Sequence, residues 1–230
     1  MTPIRLLSTL GMRGVMTEST PLLAQKGLDF TATYGATQLL IRQMAEGPTR
    51  DVAILTDAAI EELTRAGTIV AGSRRDLARS AIGIAVKAGA PKPSFGSVET
   101  FKQAVLKARS IGYSKSGASG LHFAELIKRL GIADEVNRKA KVQDGVVGEL
   151  AARGEVELAV QQISELKLVA GIDIVGPLPE ELQKLTTFSA GVFAATTRPA
   201  AAGLLIAALA TPEVAAVMRK QGMEPVAAVR

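Results

Sequence analysis

The stretch IRLLSTLGMRG, residues 4–14, decides how the rest of the chain is read. A short apolar run at residues 4–7 has the length of a buried strand. The Ser-Thr-Leu-Gly-Met-Arg-Gly that follows is a loop entering a helix that continues to about residue 25. The same order recurs twice more. Residues 29–34 alternate like a strand, 35–37 turn, and 38–45 are helical. Residues 52–55 form another buried strand, stopped by Thr56 and Asp57, with Asp57 as N-cap of a helix through Arg65 that ends at Gly67. Three strand-loop-helix units in succession predict a parallel sheet covered by helices on both faces. Ligands of such sheets bind beyond the carboxyl ends of the strands, where the loops 8–14, 35–37 and 56–57 should converge.

A second set follows. Residues 81–86 read as a strand, 97–108 as a helix, and 110–113 as a short strand leading into the glycine- and serine-rich loop 114–120 and a helix from about 121 to 130. A helix at 146–153, strands at 158–161 and 172–175, a long strand at 186–194 and two closing helices at 199–210 and 212–221 complete the chain. This order predicts an α/β protein of two lobes with one inserted into the other. Residues 1–80 plus 190–230 form lobe I and residues 81–189 form lobe II, with the strands at 81–86 and 186–194 crossing between them.

Composition narrows the chemistry. The chain has 230 residues, 47% of them hydrophobic and 21% charged, which is ordinary for a globular protein with a sizeable core. There is no cysteine, so disulfides, Cys-based zinc sites and thiol nucleophiles are excluded. His122 is the single histidine, which rules out a poly-histidine metal site and makes it the one residue that a serine–histidine–acid triad would have to use. The net charge of +5 suits an anionic partner, but aromatics are only 3% and the basic residues are scattered, which speaks against nucleic acid. The densest basic group, Arg74, Arg75 and Arg79, reads as a solvated helix face. The longest apolar stretch, residues 200–210, is too short to span a bilayer, so direct membrane insertion is not expected. The opening residues lack the pattern of a secretory leader. The expected location is therefore cytoplasmic if Met1 is the native start, and periplasmic if an upstream leader was removed.

Four places carry candidate chemistry. The loop 114–120, with Ser116, Ala118 and Ser119, follows a strand and opens a helix, so its N–H groups and the helix dipole favour an anion; the P-loop and dinucleotide spacings are both absent. Arg13, flanked by Gly11 and Gly14, is either an exposed arginine on the first helical turn or a bidentate clamp for a carboxylate. Gln161 and Gln162 end a buried strand, and alternation leaves one of the two amides to a ligand. His122 is a structural donor or, if the protein is an enzyme, the proton carrier.

Taken together, these segments resemble the type 2 periplasmic solute-binding proteins, and specifically the molybdate-binding branch of the ABC-transporter receptors. The resemblance is carried by residues 6–16, 34–43, DVAILTDAAIEEL at 51–63, residues 71–74 with 76–79, GASGLHFAELIKRLG at 117–131, ELAARGEVELAVQQ at 149–162, VGPLP at 175–179, and TPEVA at 211–215 with Gly222 and Met223. It implies two α/β lobes that close by a hinge on an anion held by neutral donors. Matched loop by loop, it places ligand-binding positions at Gly11, with Ser8 and Thr9 just upstream, at Ala36 and Thr37, and near Gln162 where the branch has a tyrosine; the strand-end loop 56–57 adds Thr56. At the matched serine and tyrosine positions only Thr37 keeps a hydroxyl, while Arg13 brings a full charge. The resemblance thus implies a solute-binding protein for a small anion, an organic carboxylate rather than molybdate, with an ABC-transporter permease as the further partner. The alternative is a cytoplasmic isomerase or lyase using the same fold on a small carboxylate, with His122 as its catalytic residue. Neither reading calls for a cofactor or a metal.

Overall fold

The first strand, β1 (Ile4–Thr9), divides its side chains between two cores. Leu6 joins the cluster containing Val15, Met16, Leu205 and Met218, whereas its neighbour Leu7 joins Leu40, Leu55 and Ile60. Alternation along a strand does this when helices cover both faces of a sheet. The computed structural model describes residues 2–44 and 50–226. Ala45, the last residue of the helix expected at 38–45, and the end of lobe I after residue 226 lie outside the described residues.

β1 leads through one turn of 3-10 helix into α1 (Arg13–Gln25). β2 (Phe30–Gly35) and α2 (Thr37–Met44) follow, then β3 (Val52–Thr56) and α3 (Asp57–Arg65). β1 pairs in parallel with both β2 and β3, with Thr9 opposite Gly35 and Ser8 opposite Ile54.

The segment with Arg74, Arg75 and Arg79 corrects the sequence reading. It is not a helix face but lies at and within a strand, β4 (Arg75–Ser80), that buries Leu77 and Ala78. Arg74 is paired with Asp76 at 2.9 Å. With two apolar residues in six, the segment has no periodicity of its own; its strand character comes from pairing with strands distant in the chain.

Residues Ala81–Leu185 form the second of two compact units. β5 (Ile82–Lys87) is followed by α4 (Val98–Lys107), whose start is fixed by a reciprocal cap. The Thr100 N–H donates to Ser97 Oγ at 3.2 Å and the Ser97 N–H donates to Thr100 Oγ1 at 3.0 Å. Then come β6 (Ile111–Ser114), α5 (Ala118–Arg129), α6 (Ala133–Asn137), β7 (Ala140–Gln143), α7 (Gly148–Ala152), β8 (Leu158–Gln162), α8 (Ile163–Leu166) and β9 (Ile172–Pro177). The sheet order is β7-β6-β8-β5-β9, parallel from β7 to β8 and antiparallel at β5. Phe101, Phe123, Ile84 and Val160 are fully buried in its main core.

The chain returns to the first unit, Met1–Ser80 with Thr186–Arg230, through β10 (Thr186–Val192). Thr186, Thr187, Phe188 and Ser189, placed in the inserted lobe by the sequence reading, here pair with Ser80, Arg79, Ala78 and Asp76 of β4. α9 (Pro199–Leu209), α10 (Pro212–Lys220) and β11 (Met223–Pro225) close the chain. The six-stranded order is β11-β4-β10-β3-β1-β2, so both sheets are mixed, with a parallel part extended by antiparallel strands. α9 is the most apolar helix, and Ala202, Leu205 and Leu209 are buried in the core. No single helix among the described residues is long and apolar enough to cross a membrane.

Fully buried Asp51 ties this unit together. Burial opposes its charge, but it accepts hydrogen bonds from Arg5, from Thr196 Oγ1 at 2.7 Å and from Arg198 Nη2 at 2.6 Å, and these hold its carboxyl well below the usual range.

Candidate anion site on the strand-end loops

In the first unit the parallel register brings the carboxyl ends of β2, β1 and β3 side by side. Thr9 at the end of β1 with Gly11 and Arg13 after it, Ala36 and Thr37 after β2, and Thr56 at the end of β3 therefore lie along one edge of the sheet. Thr9 and Thr56 stand at helix N-caps, yet neither side chain bonds the helix it precedes. Ser8 differs: it is fully buried and its hydroxyl donates to the Thr9 carbonyl at 3.2 Å, so it supports the loop from beneath.

Arg13 is exposed, and its guanidinium stands 5.9 Å from the centre of the Tyr34 ring. A cation over an aromatic face is attracted by about 0.5–1 kcal/mol when exposed and keeps its hydrogen-bond donors for another partner. Burial pushes the Tyr34 phenol up and the Arg13 charge only partly opposes this, so Tyr34 is a neutral donor. Tyr34 escaped the site assignment made from sequence, although its place at the end of an alternating strand signals it.

Gly11 accounts for one position on this edge that cannot carry a hydroxyl. A β-carbon at position 11 would lie 2.6 Å from the tip of the Phe188 ring, and Phe188 is itself buried in the core. A serine cannot stand there while the ring keeps its place.

In the second unit, β6 delivers the loop 114–120 to the start of α5. The approach is so close that a β-carbon on Gly120 would lie 1.8 Å from the Ser114 carbonyl oxygen. Ser114 Oγ accepts the Gly117 N–H at 2.9 Å, and Ser116 Oγ donates to the Asp144 carboxylate. Ala118 and Ser119 open α5, with Ser119 buried in its first turn. Asp144, from the loop after β7, was not foreseen as a partner of this loop.

The two glutamines are both buried at the end of β8. Gln161 is committed within the fold. Its Oε1 accepts the Gly148 N–H at 3.1 Å, while its Nε2 donates to the Gly145 carbonyl at 3.1 Å and to Glu165. Gln162 lies next to it on the opposite face of the strand. Burial pushes the Glu165 carboxyl up to about 7, and the Gln161 amide only partly counters this. Glu165 was missed from sequence, and the signal was a lone carboxylate three residues beyond a buried strand, between Ile163 and Leu166.

His122 is half-buried on α5. Its Nε2 lies 2.8 Å from the Leu182 carbonyl oxygen. A carbonyl only accepts, so Nε2 carries the hydrogen, and in the neutral ring Nδ1 keeps a lone pair. No group of three or more acidic or histidine side chains able to hold a metal occurs among the described residues.

Two mixed sheets flanked by helices, with donors gathered at the ends of parallel strands, define a two-lobed solute-binding fold. The chain matches the family model for bacterial extracellular solute-binding proteins over residues 4–224, and it belongs to that family. The solved structures it resembles include the periplasmic molybdate-binding protein of Azotobacter vinelandii, with a TM-score of 0.80 at 18% identity, covering 96% of this chain and 98% of that one. They also include the sulfate-binding protein of Mycobacterium tuberculosis H37Rv, with a TM-score of 0.75 at 17% identity, covering 98% and 88%. Among curated proteins, the aconitate isomerase of a Pseudomonas species is 35% identical over 235 aligned positions, spanning 99% of this chain and 89% of that protein.

Proposed function

We propose that this protein is an isomerase of a small unsaturated polycarboxylate of the aconitate class, built on a solute-binding fold. The observation that carries the reading is the 35% identity to aconitate isomerase along nearly the whole of both chains. The charge on the strand-end loops supports it. Arg13 keeps its donors for an incoming group, and the Phe188 ring excludes a serine at position 11. A carboxylate is met well by a guanidinium through two charge-assisted hydrogen bonds, and neutral hydroxyls do not supply that pair.

The reaction needs neither oxidant nor cofactor. A base removes a proton from the methylene carbon next to the double bond. The electron pair delocalises through that bond toward a carboxylate, and a proton returns at the far carbon, leaving the double bond displaced by one position. Because the single and double bonds exchange places, the carboxylates can emerge in the other geometry. A cation that holds the carboxylates stabilises the extra negative charge as it develops. Within the second unit the candidate proton carrier is His122, because the Leu182 carbonyl fixes the tautomer that leaves Nδ1 a lone pair.

A second reading, a receptor that binds a small organic anion for an ABC transporter without turning it over, is favoured by membership of the solute-binding family. Incubating the protein with trans-aconitate and with cis-aconitate, and separating the isomers chromatographically, distinguishes the two. Convergence on one ratio from both directions supports the isomerase. Saturable binding by calorimetry with no conversion supports the receptor. Absence of both binding and conversion overturns the assignment of this ligand class.

A further inference from the structure

A cavity of about 700 Å³ opens in the second unit at the end of its sheet away from Ser114 and Gln162. Here β5 ends at Lys87, β8 begins at Leu158, and the chain leaves α4 at Lys107 to enter β6. Val86, Ala108, Val156 and Leu158 contribute buried apolar lining. The charges around it are unequal: Lys87, Lys92, Lys107 and Arg109 face a single acid, Glu157.

Two of the four cations are already matched. Arg109 is ion-paired with Glu157 and also donates its backbone N–H to that carboxylate at 2.6 Å, while Lys92 pairs with Asp173 at 3.2 Å. The Lys87 and Lys107 ammonium groups make no hydrogen bond or ion pair among the described residues. Lys107 is not needed to cap its own helix, because Lys139 Nζ donates to the Leu106 and Ala108 carbonyls at 2.5 and 2.6 Å. Lys87 Nζ lies beside the backbone of Gly154, close to where a β-carbon there would stand at 3.6 Å. Two unmatched ammonium groups thus rim a concave apolar lining whose volume falls within the range of small-molecule sites, about 300–1,000 Å³.

We propose that this cavity is a second ligand site, for an amphipathic organic anion: an apolar aromatic or short aliphatic body carrying one carboxylate, sulfonate or phosphate group. The body takes the place of water over Val86, Val156 and Leu158, and the anionic group meets Lys87 and Lys107. A compact polycarboxylate fits poorly, since it has no apolar body to bury there.

The test uses the full chain and the fluorescent anion anilinonaphthalene sulfonate, with octanoate as competitor. Expected are one saturable probe site per chain, displacement by octanoate but not by equal inorganic phosphate, and at least a tenfold loss of affinity in the double variant Lys87→Glu with Lys107→Glu. Both side chains are exposed, so the variant should melt like the wild type. Probe affinity should be unchanged in Arg13→Ala, and aconitate conversion unchanged in the double variant, which keeps this site distinct from the strand-end loops. Failure of the wild type to bind the probe saturably, full affinity in the folded double variant, or loss of probe binding in Arg13→Ala would each overturn the proposal.

Discussion

The Phe188 ring packs on Gly11 so closely that a β-carbon at position 11 would stand 2.6 Å from its Cζ. The two residues lie far apart in the chain, one on β10 and one just after β1. Their contact closes the first strand-end loop at the position where the molybdate-binding branch is expected to present a hydroxyl. Gly11→Ser should therefore overpack a filled core and cost about 1–3 kcal/mol of stability. Urea denaturation measures this, and an undiminished midpoint would mean that the ring moves aside freely. By the same contact, molybdate should leave the melting temperature of the wild type unchanged.

Arg13 should govern affinity for carboxylates and little else. Its side chain is exposed, with the guanidinium 5.9 Å from the centre of the Tyr34 ring, so Arg13→Ala should keep the fold. Calorimetry with trans-aconitate should show a loss of about 2–4 kcal/mol of binding, the scale of a charge-assisted pair removed from a ligand site. Unchanged affinity would place the anion elsewhere.

Glu165 gives stability a pH dependence. Burial raises its carboxyl from the ordinary 4.5 to about 7, so between those values the folded chain holds a proton that the unfolded chain releases. The resulting stabilisation is complete below about pH 4.5 and is lost as pH rises through 7, by at most about 3 kcal/mol. Glu165→Gln keeps a neutral side chain that can still accept from Gln161 and should flatten this slope. Denaturation midpoints at pH 5 and pH 8 decide it, and an equal slope in the variant would assign the titration to another group.

The parts of the fold legible from sequence were those whose residues carry their own pattern. Apolar runs such as 52–55 read as buried strands, and the helix expected at 97–108 is α4. β4 and β11 were invisible for the opposite reason. Arg75–Ser80 has two apolar residues, and it is a strand because β10 and β11 pair with it from more than a hundred residues away. The short α6, β7 and α8 likewise follow from packing rather than period.

The candidate site divides in the same way. Strand-end position picked out Thr9, Arg13, Thr37 and Thr56, because topology alone sends those loops to one edge. It could not tell which hydroxyls and amides are spent within the fold. Ser8 bonds the Thr9 carbonyl, Ser116 bonds Asp144, and Gln161 is saturated by Gly145, Gly148 and Glu165. Each of these commitments depends on a backbone or side chain brought in by tertiary structure.

The most direct test of the central claim, that the protein moves a proton on an aconitate-class substrate, is proton NMR of trans-aconitate with the protein in deuterated water. The account predicts that the cis isomer accumulates with deuterium at the carbon that receives the returning proton, and that His122→Gln loses this exchange while still binding the substrate. Trans-aconitate that binds saturably yet stays unlabelled and unconverted would contradict it.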